Sequence, residues 1–146
     1  MPVWGGCEDY LVRSLQIVQN KAARLVCRKG IYTSIKSPLR ECNWLSLRQL
    51  TVYHSLVLLF KVQKCQQPKY LYGMFTIERR YNTRGEGIGK LDCVSVSPPT
   101  QSLNCHSFRW RTVQSWNQLP ASLRESKSLR DFKGKLKIWI GENIEI

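Results

Sequence analysis

The chain begins with a regular run of apolar positions that predicts a helix. These positions recur at 4-3-4-3 spacing and are Leu11, Leu15, Val18, Ala22 and Leu25. At 100° per residue they share one helix face, which we expect to point toward the core. On the opposite side lies a basic stripe, made up of Arg13, Lys21, Arg24 and Arg28. We predict a helix from about Glu8 to Lys29, with Gly30 as its C-terminal stop.

The next polar and apolar positions predict a short helix and then a long one. Pro38 to Cys42 reads as a short helix with Ser37 as its cap. Ser46 and Gln49 have the spacing of a capping box, which marks the start of a helix from Leu47 to about Lys64. That helix is apolar on nearly all sides, so we predict that it is the central and most buried element.

Regular patterning weakens after residue 66 and returns near residue 106. Residues 67–104 contain seven of the fifteen glycines and prolines, and Thr76–Glu78 and Cys93–Val96 are candidate short strands. A helix is predicted from about His106 to Leu119. A last helix is predicted from near Ser128, with Asp131 in a second capping box, to Gly141.

These elements predict a mainly α fold of four to five helices. Two long helices come first, an irregular middle follows, and two helices close the chain. We divide the sequence into an N-terminal helical part at 1–66, a basic connector at 67–105 and a C-terminal helical part at 106–146, all belonging to one module.

Charge adds a candidate partner to this picture. The 146 residues carry a formal charge of +13, and the span from Arg13 to Lys137 holds 23 basic and six acidic residues, a net +17. A body this basic repels itself unless a polyanion is near, and nucleic acid is the commonest polyanion partner. The alternative is a basic protein whose lysines and arginines are merely solvated.

Motifs for catalysis, metal binding and membrane insertion are missing from the sequence. No two of the six cysteines have zinc-finger spacing, so we expect reduced, mostly buried thiols. The acidic residues do not converge as a two-metal site requires, and no nucleotide-binding loop occurs. The most apolar segment without a charge, Gln49 to Phe60, has 12 residues, where a membrane span needs about 20. We therefore predict no catalytic site, no metal, no cofactor and no membrane contact, and an intracellular setting in the nucleus or cytoplasm.

A series of short motifs runs through nearly the whole chain. The N-terminal members are Val3-Trp4-Gly5, Leu15-Gln16 with Gln19-Asn20-Lys21-Ala22-Ala23-Arg24, Pro38-Leu39 and Trp44-Leu45-Ser46-Leu47-Arg48. The later members are Pro68-Lys69-Tyr70-Leu71, Asn82-Thr83-Arg84, Ser107-Phe108, Arg111, Trp116-Asn117-Gln118-Leu119-Pro120, Ser128-Leu129 and Phe132-Lys133. In this order they resemble the region that follows the polymerase palm in reverse transcriptases of non-LTR (LINE-type, jockey-like) retrotransposons.

The resemblance implies a C-terminal fragment of an RNA-directed DNA polymerase, such as a truncated element would encode. The palm aspartates, the fingers and any endonuclease would lie upstream, so no catalytic residue is carried over. The resemblance also implies template–primer RNA or DNA, and the polymerase core itself, as partners.

Candidate nucleic-acid-binding residues follow from the basic stretches. They are Lys21, Arg24 and Arg28, then Arg79, Arg80 and Arg84, then Arg109, Trp110 and Arg111, and finally Lys133 and Lys137. Trp110 between two cations suits stacking on an unpaired base, whereas Trp116 is expected to pack in the core. Two alternatives remain open. One is a structural or interaction remnant with no function of its own and with exposed apolar surfaces at Trp4 and Leu47–Val62. The other is the terminal part of a larger, active polymerase.

Overall fold

The structure, a computed structural model, describes residues 9–65, 68–72, 75 and 108–144. Seven helices and no strand occur within these ranges, which confirms the mainly α fold. The helices are α1 (Asp9–Val26), α2 (Lys36–Glu41), α3 (Leu47–Cys65), α4 (Lys69–Tyr72), α5 (Phe108–Asn117), α6 (Ala121–Arg124) and α7 (Leu129–Asn143). The count exceeds the predicted four to five because α4 and α6 are single turns, too short for a periodic pattern. Both stretches considered as strands lie outside the described residues.

Helix α3 begins at the predicted capping box. The Ser46 backbone N–H donates to Gln49 Oε1 at 2.9 Å, and the Gln49 N–H donates to Ser46 Oγ at 3.3 Å. The two bonds satisfy two N–H groups that a helix start otherwise leaves unpaired. Downstream, Leu56, Leu59 and Phe60 are buried, so α3 is the central helix as predicted.

The core forms where α3 meets α5 and α7. Phe60 stacks on Phe132 with ring centroids 4.3 Å apart, and Trp116 packs against the same Phe132 ring at 5.9 Å. Gln49, at the start of α3, donates from Nε2 to the carbonyl of Ile144, just past the end of α7, at 2.6 Å. These pairings make α3 and α7 antiparallel. Because the apolar sides of α3 are covered in this way, the hypothesis of an exposed Leu47–Val62 surface is wrong.

Helix α1 does not bury the face that its periodicity indicated. Four residues of that face are exposed and are called the α1 apolar stripe below: Leu11 (45% exposed), Leu15 (62%), Val18 (64%) and Leu25 (81%). The side facing the rest of the protein carries Val12, Gln16, Gln19 and the fully buried Ala23. The prediction that the apolar stripe packs on the core is therefore wrong.

Amide hydrogen bonds explain why the glutamine side of α1 is the packed one. Gln16 Oε1 accepts from the backbone N–H of Leu47, the first residue of α3, at 2.9 Å. Gln19 Nε2 donates to the Leu45 carbonyl at 2.9 Å. Helix starts leave N–H groups without partners, so an amide from a neighbouring helix can cap them. Helix α1 is thus joined to the start of α3 by polar bonds.

Three helix ends differ from the predictions. Helix α1 ends at Val26, and Arg28 (φ 51°), not Gly30, adopts the left-handed conformation that closes it. The Arg28 N–H donates to the Leu25 carbonyl and the Lys29 N–H to the Arg24 carbonyl, which is the Schellman pattern. Asn43 (φ 52°) closes α2 with the same pattern.

The start of α2 and the end of α7 also differ from the predictions, whereas the start of α7 does not. Helix α2 begins at Lys36 after Ile35, with no side-chain cap, so Ser37 is not its cap. Pro38 fits inside the first turn because its missing N–H needs no partner there. Ser128 Oγ accepts from the Asp131 N–H at 3.1 Å, which confirms the start of α7. Helix α7 continues past Gly141 to Asn143, since that glycine has no left-handed φ.

Candidate nucleic-acid interface

A cleft between α3 and α5 contains the predicted stacking residue. Its volume is about 290 Å³. Trp110 and Arg111 line it from α5, and Thr51, Val52 and Ser55 line it from α3. The remaining lining residues are Thr112, Gln114 and Ser115. The cleft thus combines one indole, one guanidinium and several hydroxyl and amide groups.

Helix α5 has two sides with different roles. Thr112, Val113 and Trp116 are buried, and Thr112 Oγ1 donates to the Phe108 carbonyl at 2.6 Å within the helix. Trp110 and Arg111 are half-buried and lie at the cleft. Residues four apart share a helix side, so Gln114 lies beyond Trp110 and Ser115 beyond Arg111. Burial of Trp116, only 3% exposed, confirms the expectation that it packs in the core.

The α3 side of the cleft was missed by the sequence reasoning. Thr51 and Ser55 are four residues apart, and exposed Arg48 lies one turn before them on the same side. Thr51 Oγ1 donates to the Leu47 carbonyl at 2.9 Å, which fixes its side chain. Polar residues at helical spacing, Arg48, Thr51 and Ser55, were the signal that could have found this surface.

This lining suits an unpaired base attached to a phosphate. An indole face offers stacking area to any base, and hydroxyl and amide groups can pair with base edges. Arg111, with Arg48 one turn from the cleft, adds positive charge for the phosphate backbone.

The basic stripe of α1 is only partly available to a ligand. Lys21 and Arg28 are exposed. Arg24 is half-buried, and its Nε and Nη2 donate to the Thr33 carbonyl at 3.2 and 3.0 Å. Arg24 therefore holds the loop after α1 in place.

The other predicted cations are distributed over separate places. Lys133 and Lys137 lie one turn apart on α7 and are half-buried. Arg109 is half-buried on α5, beside the cleft residues in sequence but outside the cleft lining. Arg79, Arg80 and Arg84 lie outside the described residues.

One histidine reports on the charge near α7. Desolvation lowers the pKa of His54, and positive charge including the Lys133 ammonium lowers it further. Its ring meets Tyr53 edge-on, with centroids 5.4 Å apart. The repulsion from Lys133 shows that α7 brings a cation toward α3 at this point.

Within residues 9–65, 68–72, 75 and 108–144, no group of three or more His, Cys, Asp or Glu side chains is placed to hold a metal ion. None of the helices in those ranges has the length and apolar character needed to cross a membrane. No protein-family model, curated protein sequence or solved structure matches this chain.

Proposed function

We propose that this chain is a non-catalytic, nucleic-acid-binding C-terminal module of a non-LTR retrotransposon reverse transcriptase, acting inside the cell on template or primer strands. The observation that carries the binding proposal is the cleft that Trp110 and Arg111 of α5 line together with Thr51 and Ser55 of α3. The link to reverse transcriptases rests on the ordered motifs in the sequence.

Single-stranded nucleic acid fits this arrangement better than duplex. The cleft is lined by one indole and one guanidinium, which is the combination that holds an unpaired base and its phosphate. A duplex stacks its bases internally and would present only phosphates to the same surface. Lys21 and Arg28 on α1 supply further sequence-independent phosphate contacts.

Fluorescence anisotropy with labelled single-stranded RNA and DNA tests the proposal. We expect log K to fall linearly with log salt, by about 0.7 per neutralised phosphate for single strands. Trp110→Ala should weaken binding by about 1–3 kcal/mol, the usual worth of one base–aromatic stack, while Trp110→Phe should retain most of it. Affinity that is flat with salt, or unaffected by Trp110→Ala, would overturn the proposal.

A matched pair of charge variants separates the cleft from general basicity. Arg111→Gln removes a cation at the cleft, whereas Lys64→Gln removes an exposed cation near the other end of α3, nine residues or about 14 Å beyond Ser55. Both variants lose one charge. A cleft-specific site requires that Arg111→Gln weaken binding clearly more than Lys64→Gln does.

A second role, as a packing module for a polymerase core, is favoured by the α1 apolar stripe. Four leucine and valine side chains, each at least 45% exposed, form a contiguous helix face. Such faces on folded proteins mark surfaces that another body covers. Leu15→Gln with Val18→Gln should leave nucleic-acid binding by the chain unchanged but abolish its co-purification with a palm-containing polymerase fragment of this family. Co-purification that survives the double change would refute this role.

A further inference from the structure

Cys27 and Cys42 bring their sulfur atoms together at the junction of α1 and α2. The two Sγ atoms are 3.1 Å apart, and both side chains are half-buried, so the expectation of buried thiols does not hold for this pair. The residues are 15 positions apart in the sequence, and the packing of α2 against α1 brings them together.

The pair is held in place by the local backbone. Each cysteine is the last residue before a left-handed one, Arg28 after Cys27 and Asn43 after Cys42, so each sits at a tightly closed helix end. The Cys27 Sγ also lies 3.5 Å from the Pro38 carbonyl inside α2. The ends of the two helices are joined again by the ion pair between Lys29 Nζ and Glu41 Oε1, at 3.4 Å.

We propose that Cys27 and Cys42 form a reversible disulfide that covalently joins the ends of α1 and α2. A disulfide needs its two sulfur atoms to move from 3.1 Å to bonding distance, about 2.05 Å, a shift of about 1 Å between side chains on adjacent helix ends. Half-burial leaves the sulfurs open to a small oxidant.

The reaction consumes a two-electron oxidant such as hydrogen peroxide. One thiol loses its proton, and the thiolate attacks a peroxide oxygen. The O–O bond breaks, a sulfenic acid forms, and the departing hydroxide takes up the proton that the thiol lost, which gives one water. The second thiol then attacks the sulfenic sulfur, the S–O bond breaks, and a second water leaves with the thiol proton. The hydrogen bond with Cys42, and then desolvation, raise the pKa of Cys27 to about 11. The same disulfide forms whichever of the two sulfurs attacks first.

The test oxidises the native full-length chain with hydrogen peroxide at pH about 8.5, where ordinary cysteines are partly ionised. We expect free thiols to fall from six to four, and peptide mapping to show one Cys27–Cys42 link. The Tm should rise because the bond closes the loop between them, and dithiothreitol should reverse both changes. Cys27→Ser and Cys42→Ser should each abolish the link, whereas Cys93→Ser should leave it intact.

A proximity probe keeps the proposal testable if a serine variant folds poorly. Phenylarsine oxide carries trivalent arsenic, which bonds two adjacent thiols, and we expect one equivalent to bind the reduced native chain across Cys27 and Cys42. Six thiols that survive peroxide, or an arsenical or disulfide mapped to other cysteines, would overturn the proposal.

Discussion

Gln49 is a buried amide whose replacement tests how the two halves of the fold are joined. The side chain is 2% exposed, accepts from the Ser46 N–H at 2.9 Å and donates to the Ile144 carbonyl at 2.6 Å. Gln49→Met keeps the length of the side chain and removes both bonds. Each bond contributes about 0.5–1.5 kcal/mol net to stability. Ser46 is itself buried, so its N–H group, left without a partner, costs about 1–3 kcal/mol more. Ile144 is half-buried, so its carbonyl can accept a hydrogen bond from water instead, and we add no cost for it.

The expected destabilisation is therefore about 2–6 kcal/mol, a large part of a small domain's stability. Urea unfolding followed by circular dichroism measures it as a lower midpoint at unchanged m-value. Gln118→Met, at an exposed position, is the matched control and should change stability by less than about 0.5 kcal/mol.

Gln49→Glu separates the two bonds. Its carboxylate still accepts from Ser46 but faces the Ile144 carbonyl, so this variant should lose stability at neutral pH and regain it in acid, where the carboxyl can donate. If Gln49→Met matches the wild type within about 0.5 kcal/mol, the bridge between α3 and α7 does not stabilise the fold.

Three further changes have measurable outcomes. Arg28→Gly should raise the Tm, because it relieves a left-handed φ that costs about 1–2 kcal/mol, whereas the added entropy of the unfolded chain costs about 0.4–1 kcal/mol. The same change removes a cation and should lower the salt slope of RNA binding. A lower Tm would contradict this reasoning. Phe132→Ala should cost about 3–5 kcal/mol in urea unfolding, since it removes the ring that Phe60 and Trp116 both contact, and a loss below 1 kcal/mol would show that the site collapses. The pKa of His54 is lowered in the folded state, so the unfolded chain binds more protons and the stability falls as the pH drops through about 6.5. Lys133→Ala should raise the pKa of His54 in an NMR titration. An unchanged pKa would contradict repulsion between Lys133 and His54.

Local signals in the sequence predicted much of the helical framework. The Ser46–Gln49 box and the Ser128–Asp131 spacing located the starts of α3 and α7, because a cap involves residues three apart. Trp116 was correctly expected in the core. Gly30 and Gly141 misled because glycine permits a left-handed stop without requiring one, and Arg28 adopts that conformation instead.

The features that the sequence did not predict depend on contacts between residues that are distant along the chain. Periodicity places Leu11 and Leu15 on one face of α1. The face that packs is a different one, because Gln16 there accepts a hydrogen bond from the N–H of Leu47, 31 residues away. The cleft forms because α5 packs beside Thr51 and Ser55 of α3. The residue spacing within either helix does not predict this contact between helices. The Cys27–Cys42 contact likewise follows from packing between helices.

The way α1 is attached has a consequence for motion. Among its described side chains, residues 10–26, Ala23 alone is buried. Gln16 bonds to Leu47, the first residue of α3, and Gln19 bonds to Leu45 just before it. Segments with little buried apolar area open locally at a free energy well below that of global unfolding. Helix α1 should therefore detach while the Phe60–Phe132 core stays closed, and its amide hydrogens should exchange with solvent deuterium far sooner than those of α3. The core around α3, α5 and α7 then stays folded while α1 moves relative to it, and the cations of Lys21 and Arg28 move together with α1.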